Sequence, residues 1–143
     1  MVSTKGRYAL RVMLDLAEQD ANQYIPLGQV ASRQGISQKY LEIIIRDLVK
    51  HKLLRGLRGK KGGYMLTRKP EEYTVGEILE LTEGKLAVVA CLEDCAKPCK
   101  RMGSCRTLPM WREFDQMTHD YFYHITLADL MAGELKGKNW GRP

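Results

Sequence analysis

The chain has 143 residues, a formal net charge of +6 and 44% hydrophobic residues. These values predict a globular protein with one ordinary domain and an appended element, and they exclude a disordered chain. No apolar run approaches the roughly 20 residues of a membrane span, and the first residues lack the apolar core of a signal peptide. We therefore expect a cytoplasmic protein with no membrane partner, where clustered thiols indicate metal or redox chemistry more often than disulfides.

The positive charge is concentrated in the first half of the chain. Residues 1–69 contain 14 Lys and Arg against 5 Asp and Glu, whereas residues 70–143 contain 9 against 12. A basic half joined to a mildly acidic half indicates that one part binds a polyanion and the other part has a different task. A solvated surface is the alternative explanation, because charge asymmetry alone does not decide between the two.

The basic half begins with a helix over residues 2–20, which has one apolar face and an expected N-cap in the stretch Ser3-Thr4-Lys5. Lys5 and Arg7 lie near its start, where a cation opposes the helix dipole and a nearby phosphate would offset that cost. After a break at residues 21–26, a short helix over residues 27–34 ends at Gly35, the usual residue for a left-handed helix end. We include Lys5 and Arg7 among the candidate phosphate contacts.

A second short helix, over residues 38–50, follows directly. Two helices joined by a tight turn that contains glycine form a helix-turn-helix, whose second helix enters the DNA major groove through its N-terminal residues. Side chains with hydrogen-bonding groups suited to base edges or phosphates occupy that end. The candidate contacts are Ser37, Gln38, Lys39, Tyr40 and Glu42, with packing in the core as the alternative role of Tyr40.

Residues 53–67 alternate apolar positions on both sides of a glycine-rich turn, which is typical of a β-hairpin. Directly after a recognition helix, such a hairpin is a wing. Arg58, Lys60 and Lys61 lie at its tip, where long cationic side chains reach phosphates or a minor groove. Neither GxGxxG nor GxxxxGK[ST] is present, so a nucleotide-binding loop is disfavoured.

The second half begins with a capping box at residues 74–77 and a helix that Gly84 ends. Residues 85–90 form a short apolar approach to a cysteine-rich stretch, after which Pro109 opens a helix of roughly five turns. The apolar face of that helix is too large for a small monomer to hide, which predicts a homodimer of paired helices, with packing on the chain's own core as the alternative. That face consists of Met110, Trp111, Phe114, Met117, Tyr121, Phe122 and Ile125.

The sequence therefore predicts a mainly α fold with a small β-hairpin wing (α+β), in which a winged helix-turn-helix domain precedes a long dimerisation helix. Residues 1–85 form the DNA-binding domain, and residues 86–106 form a cysteine-bearing sensor loop. Residues 107–135 form the dimerisation helix and a short following helix, and residues 136–143 are a loose tail.

All four cysteines lie in the predicted loop, at Cys91, Cys95, Cys99 and Cys105. Gaps of three, three and five residues lack the close CxxC pairs of structural zinc sites. Iron–sulfur clusters accept wider spacing, which favours an iron–sulfur cluster here. Zinc remains an alternative, as do metal-free thiols that act through oxidation.

Several segments carry a family pattern: Ser3-Thr4-Lys5-Gly6-Arg7-Tyr8-Ala9, Gln34-Gly35-Ile36-Ser37, Tyr40-Leu41-Glu42, Arg58-Gly59, Gly62-Gly63-Tyr64, and Cys99 with Cys105 followed by Trp111. Together they resemble the IscR/NsrR/CymR family of bacterial winged-helix transcription regulators, from about residue 1 to residue 132. The resemblance implies a homodimer whose paired long helices hold two DNA-binding heads over a two-fold site in double-stranded DNA. In the cluster-bearing branches it also implies a [2Fe–2S] or [4Fe–4S] cluster whose state alters DNA binding.

The same resemblance implies that Cys91, Cys99 and Cys105 are the three cysteine ligands of the cluster. The fourth ligand is open, because Leu108 stands where the IscR branch has a histidine and Tyr8 stands where the NsrR branch has a carboxylate. The cysteine-free CymR branch is disfavoured by the cysteines themselves. The candidates for the fourth ligand are Cys95 first, then Glu93, Asp94 or a small exogenous ligand.

We therefore expect a homodimeric DNA-binding transcription regulator, a repressor, whose DNA affinity an iron–sulfur cluster controls. One alternative is a regulator that senses redox state through metal-free thiols, with no cofactor. Another is a small iron–sulfur electron carrier, although a carrier needs no basic wing. We expect no enzyme, because the sequence has no Ser/His/Asp arrangement and no carboxylate pair with acid–base spacing, and its three histidines are scattered.

Overall fold

A computed structural model describes residues 2–93, 97–133 and 135 of the chain. These residues are mainly helical, with one antiparallel hairpin, as the sequence predicts. No helix in this part of the chain has the length and apolar character needed to cross a membrane. The elements in chain order are α1 (Thr4–Ala17), α2 (Leu27–Gln34), α3 (Gln38–Lys50), β1 (Leu54–Leu57), β2 (Gly63–Leu66), α4 (Val75–Glu83), α5 (Leu108–Tyr123) and α6 (Leu127–Ala132), with 3-10 turns at Pro70–Glu72 and Ala90–Leu92.

The helix-turn-helix forms where the sequence predicts it. Gly35 ends α2 in the left-handed conformation, with φ of 62°, which glycine adopts without steric cost. The side chain of Ser37 then accepts a hydrogen bond from the backbone N–H of Tyr40 and caps α3. The turn between the two helices is therefore set by local sequence chemistry.

The wing is anchored to the segment before α2. In the hairpin, Leu54 pairs with Leu66 and Leu57 pairs with Gly63. Ile25 adds a one-residue bridge, since its backbone N–H and C=O each bond to Tyr64 at 2.9 Å. A Cβ on Gly63 would lie 2.3 Å from the carbonyl carbon of Ile25, so this close approach requires glycine.

One core unites the first and last helices. Val12 of α1, Leu41 and Leu48 of α3, and Leu127 of α6 are all fully buried in the same cluster. The backbone N–H of Leu127 also donates to the carbonyl of Tyr73 at 3.0 Å. The chain therefore leaves the DNA-binding head (residues 1–85) after α4, continues through the cysteine loop and α5, and packs against the head again at α6.

Tyr73 joins the base of the wing to the helical core. Its side chain is fully buried, and its hydroxyl donates to the carbonyl of Leu53 at 2.7 Å. The same oxygen accepts from the backbone N–H groups of Thr67 at 2.9 Å and Arg68 at 3.0 Å. The guanidinium of Arg68 lies 4.3 Å from the centre of the Tyr73 ring. One side chain thus ties together the two ends of the hairpin.

The capping box predicted at residues 74–77 forms only in part. The Thr74 hydroxyl accepts from the backbone N–H of Glu77 at 3.1 Å, but the Glu77 carboxylate pairs with Arg68 at 2.7 Å. A charge-assisted bond to a guanidinium is stronger than a bond to a neutral backbone N–H, so Arg68 takes the carboxylate. A complete box instead forms at the start of α6, between Thr126 and Asp129.

The long helix is slightly shorter than the sequence predicts. Helix α5 has 16 residues, about four and a half turns. Thr107 stands at its N-cap position but makes no capping bond through its side chain. Pro109 lies in the first turn, where a missing N–H costs nothing.

Candidate nucleic-acid interface and cysteine loop

Helix α3 buries one face and presents the other to solvent. Leu41, Ile44 and Leu48 are fully buried. Tyr40 is half-buried and its ring stands edge-on to Tyr8, with centroids 5.8 Å apart. The remaining predicted contacts at this end of α3 are exposed: Ser37, Gln38, Lys39 and Glu42.

Sequence reasoning missed two further residues on the exposed face of α3. Ile43 is 44% exposed, and Arg46 is exposed as well. Ile43 lies four residues after Lys39, Arg46 lies four residues after Glu42, and the two are three residues apart, which are spacings of neighbours on a helix surface. The sequence does not single out Ile43, because it belongs to an apolar run that is typical of a core. Arg46 could have been identified from the excess of Lys and Arg in this half of the chain.

The turn of the wing presents three cations. Arg58, Lys60 and Lys61 are exposed, and the backbone N–H of Gly62 closes the turn on the carbonyl of Gly59 at 3.0 Å. Gly59 has φ of 106°, which side-chain-bearing residues rarely adopt. The turn therefore holds its three long side chains in solvent, where they are available to a polyanion.

The two candidate cations of α1 are placed differently. The Lys5 ammonium lies 2.6 Å from Asp47 and joins α1 to α3. This hydrogen bond lowers the pKa of Asp47. Arg7 is exposed and donates to the Thr4 hydroxyl at 3.3 Å. Lys5 therefore already has an anionic partner within the protein, whereas Arg7 remains exposed beside the start of α1.

A buried carboxylate fixes α2 against α1. Asp15 is 3% exposed and accepts from the guanidinium of Arg33 at 2.7 and 3.0 Å. It also accepts from the side-chain amide of Gln34 at 2.7 Å. The hydrogen bond to Asp15 raises the pKa of Arg33. Charge-assisted bonds of this kind have defined geometry, so they set the position of the first helix of the helix-turn-helix.

The N-terminus of α1 is capped by the far end of α4. One Glu83 oxygen accepts from the backbone N–H and the hydroxyl of Ser3, at 2.9 and 2.6 Å, and from the N–H of Gly6 at 3.0 Å. A Cβ on Gly6 would lie 2.2 Å from that oxygen. A carboxylate is favourable at a helix N-terminus, so this contact links α1 to the end of the helix that precedes the cysteine loop.

The described cysteines of the loop are free thiols. Cys91 and Cys105 are partly buried and Cys99 is exposed. The thiol of Cys105 lies 3.4 Å from the Thr107 hydroxyl, and this hydrogen bond lowers the pKa of Cys105. Within residues 2–93, 97–133 and 135, no three His, Cys, Asp or Glu side chains are close enough together to hold a metal ion. Cys95 and Asp94 lie outside the described residues.

The two positions that differ from the cluster-bearing branches have structural roles. Leu108 is buried, and Tyr8 packs against Tyr40 while the guanidinium of Arg11 lies 5.1 Å from its ring centre. Leu108 has no donor atom, and the Tyr8 ring is engaged in these contacts. The donor groups of the loop itself are its cysteines and carboxylates.

Helix α5 is held at its middle and at its end. At its middle, Asp115 accepts from the backbone N–H of Val88 at 3.1 Å, which ties α5 to the approach of the cysteine loop. At its end, the Tyr123 hydroxyl donates to Glu80 of α4 at 2.7 Å. Burial and this partner raise the pKa of Tyr123 to about 12. A Cβ on Gly76 would lie 2.3 Å from the Tyr123 ring, so glycine lets the two helices approach.

The outer face of α5 is apolar and uncovered in the single chain. Met110, Phe114, Met117 and Tyr121 are between 37% and 52% exposed. Their spacing of four, three and four residues places them on one face of the helix. Soluble monomers rarely expose contiguous apolar patches of this kind, so this face is suited to burial against another surface.

Comparisons with known proteins agree with this architecture. The family model Rrf2, described as an iron-dependent transcriptional regulator, matches residues 2–133. The chain is 33% identical over 133 residues to the HTH-type transcriptional regulator IscR of Sodalis glossinidius, covering 93% of this chain and 79% of that protein. It is 38% identical over 131 residues to protein rrf2 of Nitratidesulfovibrio vulgaris, covering 91% and 86%.

Solved structures give the same result. The structure of CymR, the global cysteine regulator of B. subtilis, superposes with a TM-score of 0.76 at 31% identity, covering 94% of this chain and 98% of that one. The structure of T. potens IscR superposes with a TM-score of 0.74 at 33% identity, covering 99% and 93%. These proteins share the winged-helix fold, and their names describe regulators rather than enzymes.

Proposed function

Since the chain belongs to the Rrf2 family of transcriptional regulators, we propose that it is a homodimeric repressor whose affinity for DNA depends on an iron–sulfur cluster bound by its cysteine loop. It is a DNA-binding regulator and not an enzyme. The observation that carries the proposal is the exposed N-terminal face of α3 followed by a wing tip with three exposed cations.

The exposed side chains divide into two classes by chemistry. Lys39, Arg46 and the three wing cations bind phosphates, which supplies affinity that is independent of sequence and falls with salt. Gln38 and Glu42 read base edges, because a glutamine pairs with adenine and a carboxylate accepts from the amino group of cytosine. The buried face of α3 and the Tyr73 contacts hold the two groups in place.

The exposed apolar face of α5 supports a homodimer. Two copies of this face would bury each other about a two-fold axis, which places two recognition helices at equivalent positions. A dimer of this kind reads a two-fold site in which the half-sites are a helical turn or its multiple apart. The alternative, burial on the chain's own core, holds for one end of the predicted face, since Ile125 is 3% exposed and Phe122 packs against the same core cluster, whereas Phe114 and Met117 stay exposed.

The loop chemistry supports thiolate ligation. Cys91, Cys99 and Cys105 would hold the cluster, because iron–sulfur clusters are bound by cysteine thiolates and these three are free. When bound, the cluster would supply a centre that gains or loses an electron or a ligand. Cys95 is our candidate for the fourth position. The bond between Val88 and Asp115, and that between Glu80 and Tyr123, connect the loop through α5 to the head.

A regulator with metal-free thiols is the second candidate. The lowered pKa of Cys105 favours it, since the thiolate is the form that oxidants attack. In this alternative, oxidation of a loop cysteine would change the same connections to α5 without any metal.

Anaerobic purification with iron and sulfide analysis separates the two candidates. We expect a coloured protein with iron and sulfide in equal amounts, and loss of both in Cys91→Ser, Cys99→Ser and Cys105→Ser. Cys95→Ser tells whether the fourth thiol is a ligand, because it lowers iron and sulfide only if Cys95 binds the cluster. A colourless, iron-free protein whose DNA affinity changes on oxidation would favour the thiol regulator.

A further inference from the structure

Ile43 is an unexplained apolar side chain on the exposed side of α3. It is 44% exposed, whereas Leu41, Ile44 and Ile45 around it in sequence are buried. Its neighbours on the exposed face, Lys39 and Arg46, are cations. Because the core of the head is complete without it, Ile43 has no evident packing role within the chain.

The chemistry of the major groove offers one kind of partner for this side chain. Base edges there present hydrogen-bond donors and acceptors, and in addition the C5 methyl group of thymine. Isoleucine forms no side-chain hydrogen bond, so the thymine methyl is the group that it can recognise. Ile43 lies five residues after Gln38, about 7.5 Å further along the helix axis, so it reaches a different part of the groove from Gln38.

We propose that Ile43 is a specificity-determining residue that packs on the C5 methyl group of a thymine in each half-site. The proposal rests on the DNA-binding function proposed above and assigns to α3 a base preference that its polar residues do not supply. Cytosine and uracil lack this methyl group, so the preference is for thymine over both.

The test uses a duplex selected by the full-length wild-type protein from a random-sequence library. Each thymine is replaced in turn by uracil, which removes the methyl group and leaves the Watson–Crick pair intact. We expect about threefold to fivefold weaker binding at one position per half-site, the ratio for one buried methyl group. Ile43→Ser should bind the thymine and uracil duplexes equally, and Ile43→Val should keep most of the wild-type ratio.

Two controls make the result decisive. Leu57 of β1 is 49% exposed, so Leu57→Ser removes a comparable apolar side chain outside α3 and should keep the wild-type ratio. Circular dichroism melting should show that Ile43→Ser is folded, because the side chain is largely outside the core.

The outcomes also separate this proposal from the function on which it rests. If the wild-type protein binds the selected duplex but uracil has no effect at any position, the role of Ile43 is wrong and DNA binding stands. The role of Ile43 is equally wrong if Ile43→Ser keeps the wild-type ratio. If the protein binds no DNA at all, the proposed function itself fails.

Discussion

Removing the Tyr73 hydroxyl tests most clearly which contacts fix the wing to the helical core. In Tyr73→Phe the ring stays in the core and only the oxygen is lost. The backbone N–H of Arg68 then has no acceptor, while Thr67 keeps a longer bond of 3.4 Å to the carbonyl of Leu53. The backbone N–H of Thr67 is then the main donor to the Leu53 carbonyl, because the single hydroxyl proton of Thr67 has a nearer acceptor in the carbonyl of Lys52 at 2.7 Å.

The expected cost follows from these lost contacts. One fully orphaned backbone N–H costs about 1–3 kcal/mol, and one weakened pair adds about 1 kcal/mol, so the total is about 2–4 kcal/mol. This is a large part of a domain stability of about 5–15 kcal/mol. The variant should therefore fold but lose stability, and its wing should be less well fixed to the core.

Urea unfolding measures the effect as a lower midpoint at unchanged slope. Tyr24→Phe is the matched control, because none of the described residues hydrogen-bonds the Tyr24 hydroxyl, and its free energy of unfolding should change by less than about 0.5 kcal/mol. A change that small in Tyr73→Phe would mean that the hydroxyl does not hold the wing.

Three further substitutions test other parts of the molecule. Asp47→Asn frees the Lys5 ammonium, so DNA affinity should rise about equally for all sequences. In fluorescence anisotropy, the slope of log affinity against log salt concentration should steepen by about one. An unchanged slope contradicts this. Gly63→Ala places a methyl group against the carbonyl of Ile25 and should lower the unfolding midpoint. Gly59→Ala carries only the strain of a φ of 106°, since its methyl group meets no atom, and should lower the midpoint less. Phe114→Asp should convert the proposed dimer to a monomer in light scattering; a dimer that persists would exclude this face.

The local elements could be predicted from the sequence because short-range chemistry determines them. Apolar spacing indicates α1 and α3, Gly35 and Ser37 indicate the turn between the recognition helix and its predecessor, and alternation around glycines indicates the wing. The structure confirms these elements and the winged-helix fold.

The rest depends on contacts between distant residues. The sequence predicts that Lys5 binds phosphate, but Asp47 lies 42 residues away in sequence and supplies an anion. Glu83 caps α1 across 80 residues, which no local pattern indicates. Ile43 is hidden in the sequence because three consecutive isoleucines do not reveal which one faces solvent. The cluster ligands and the dimer remain predictions.

Control by a cluster is tested most directly by the DNA affinity of one protein with and without its iron. Anaerobically purified protein is titrated into a labelled selected duplex before and after a chelator removes iron, at one salt concentration. We expect the two dissociation constants to differ at least about tenfold, within the usual range for coupling between sites, and the difference to vanish in Cys105→Ser. Equal affinity with and without iron would contradict control by a cluster.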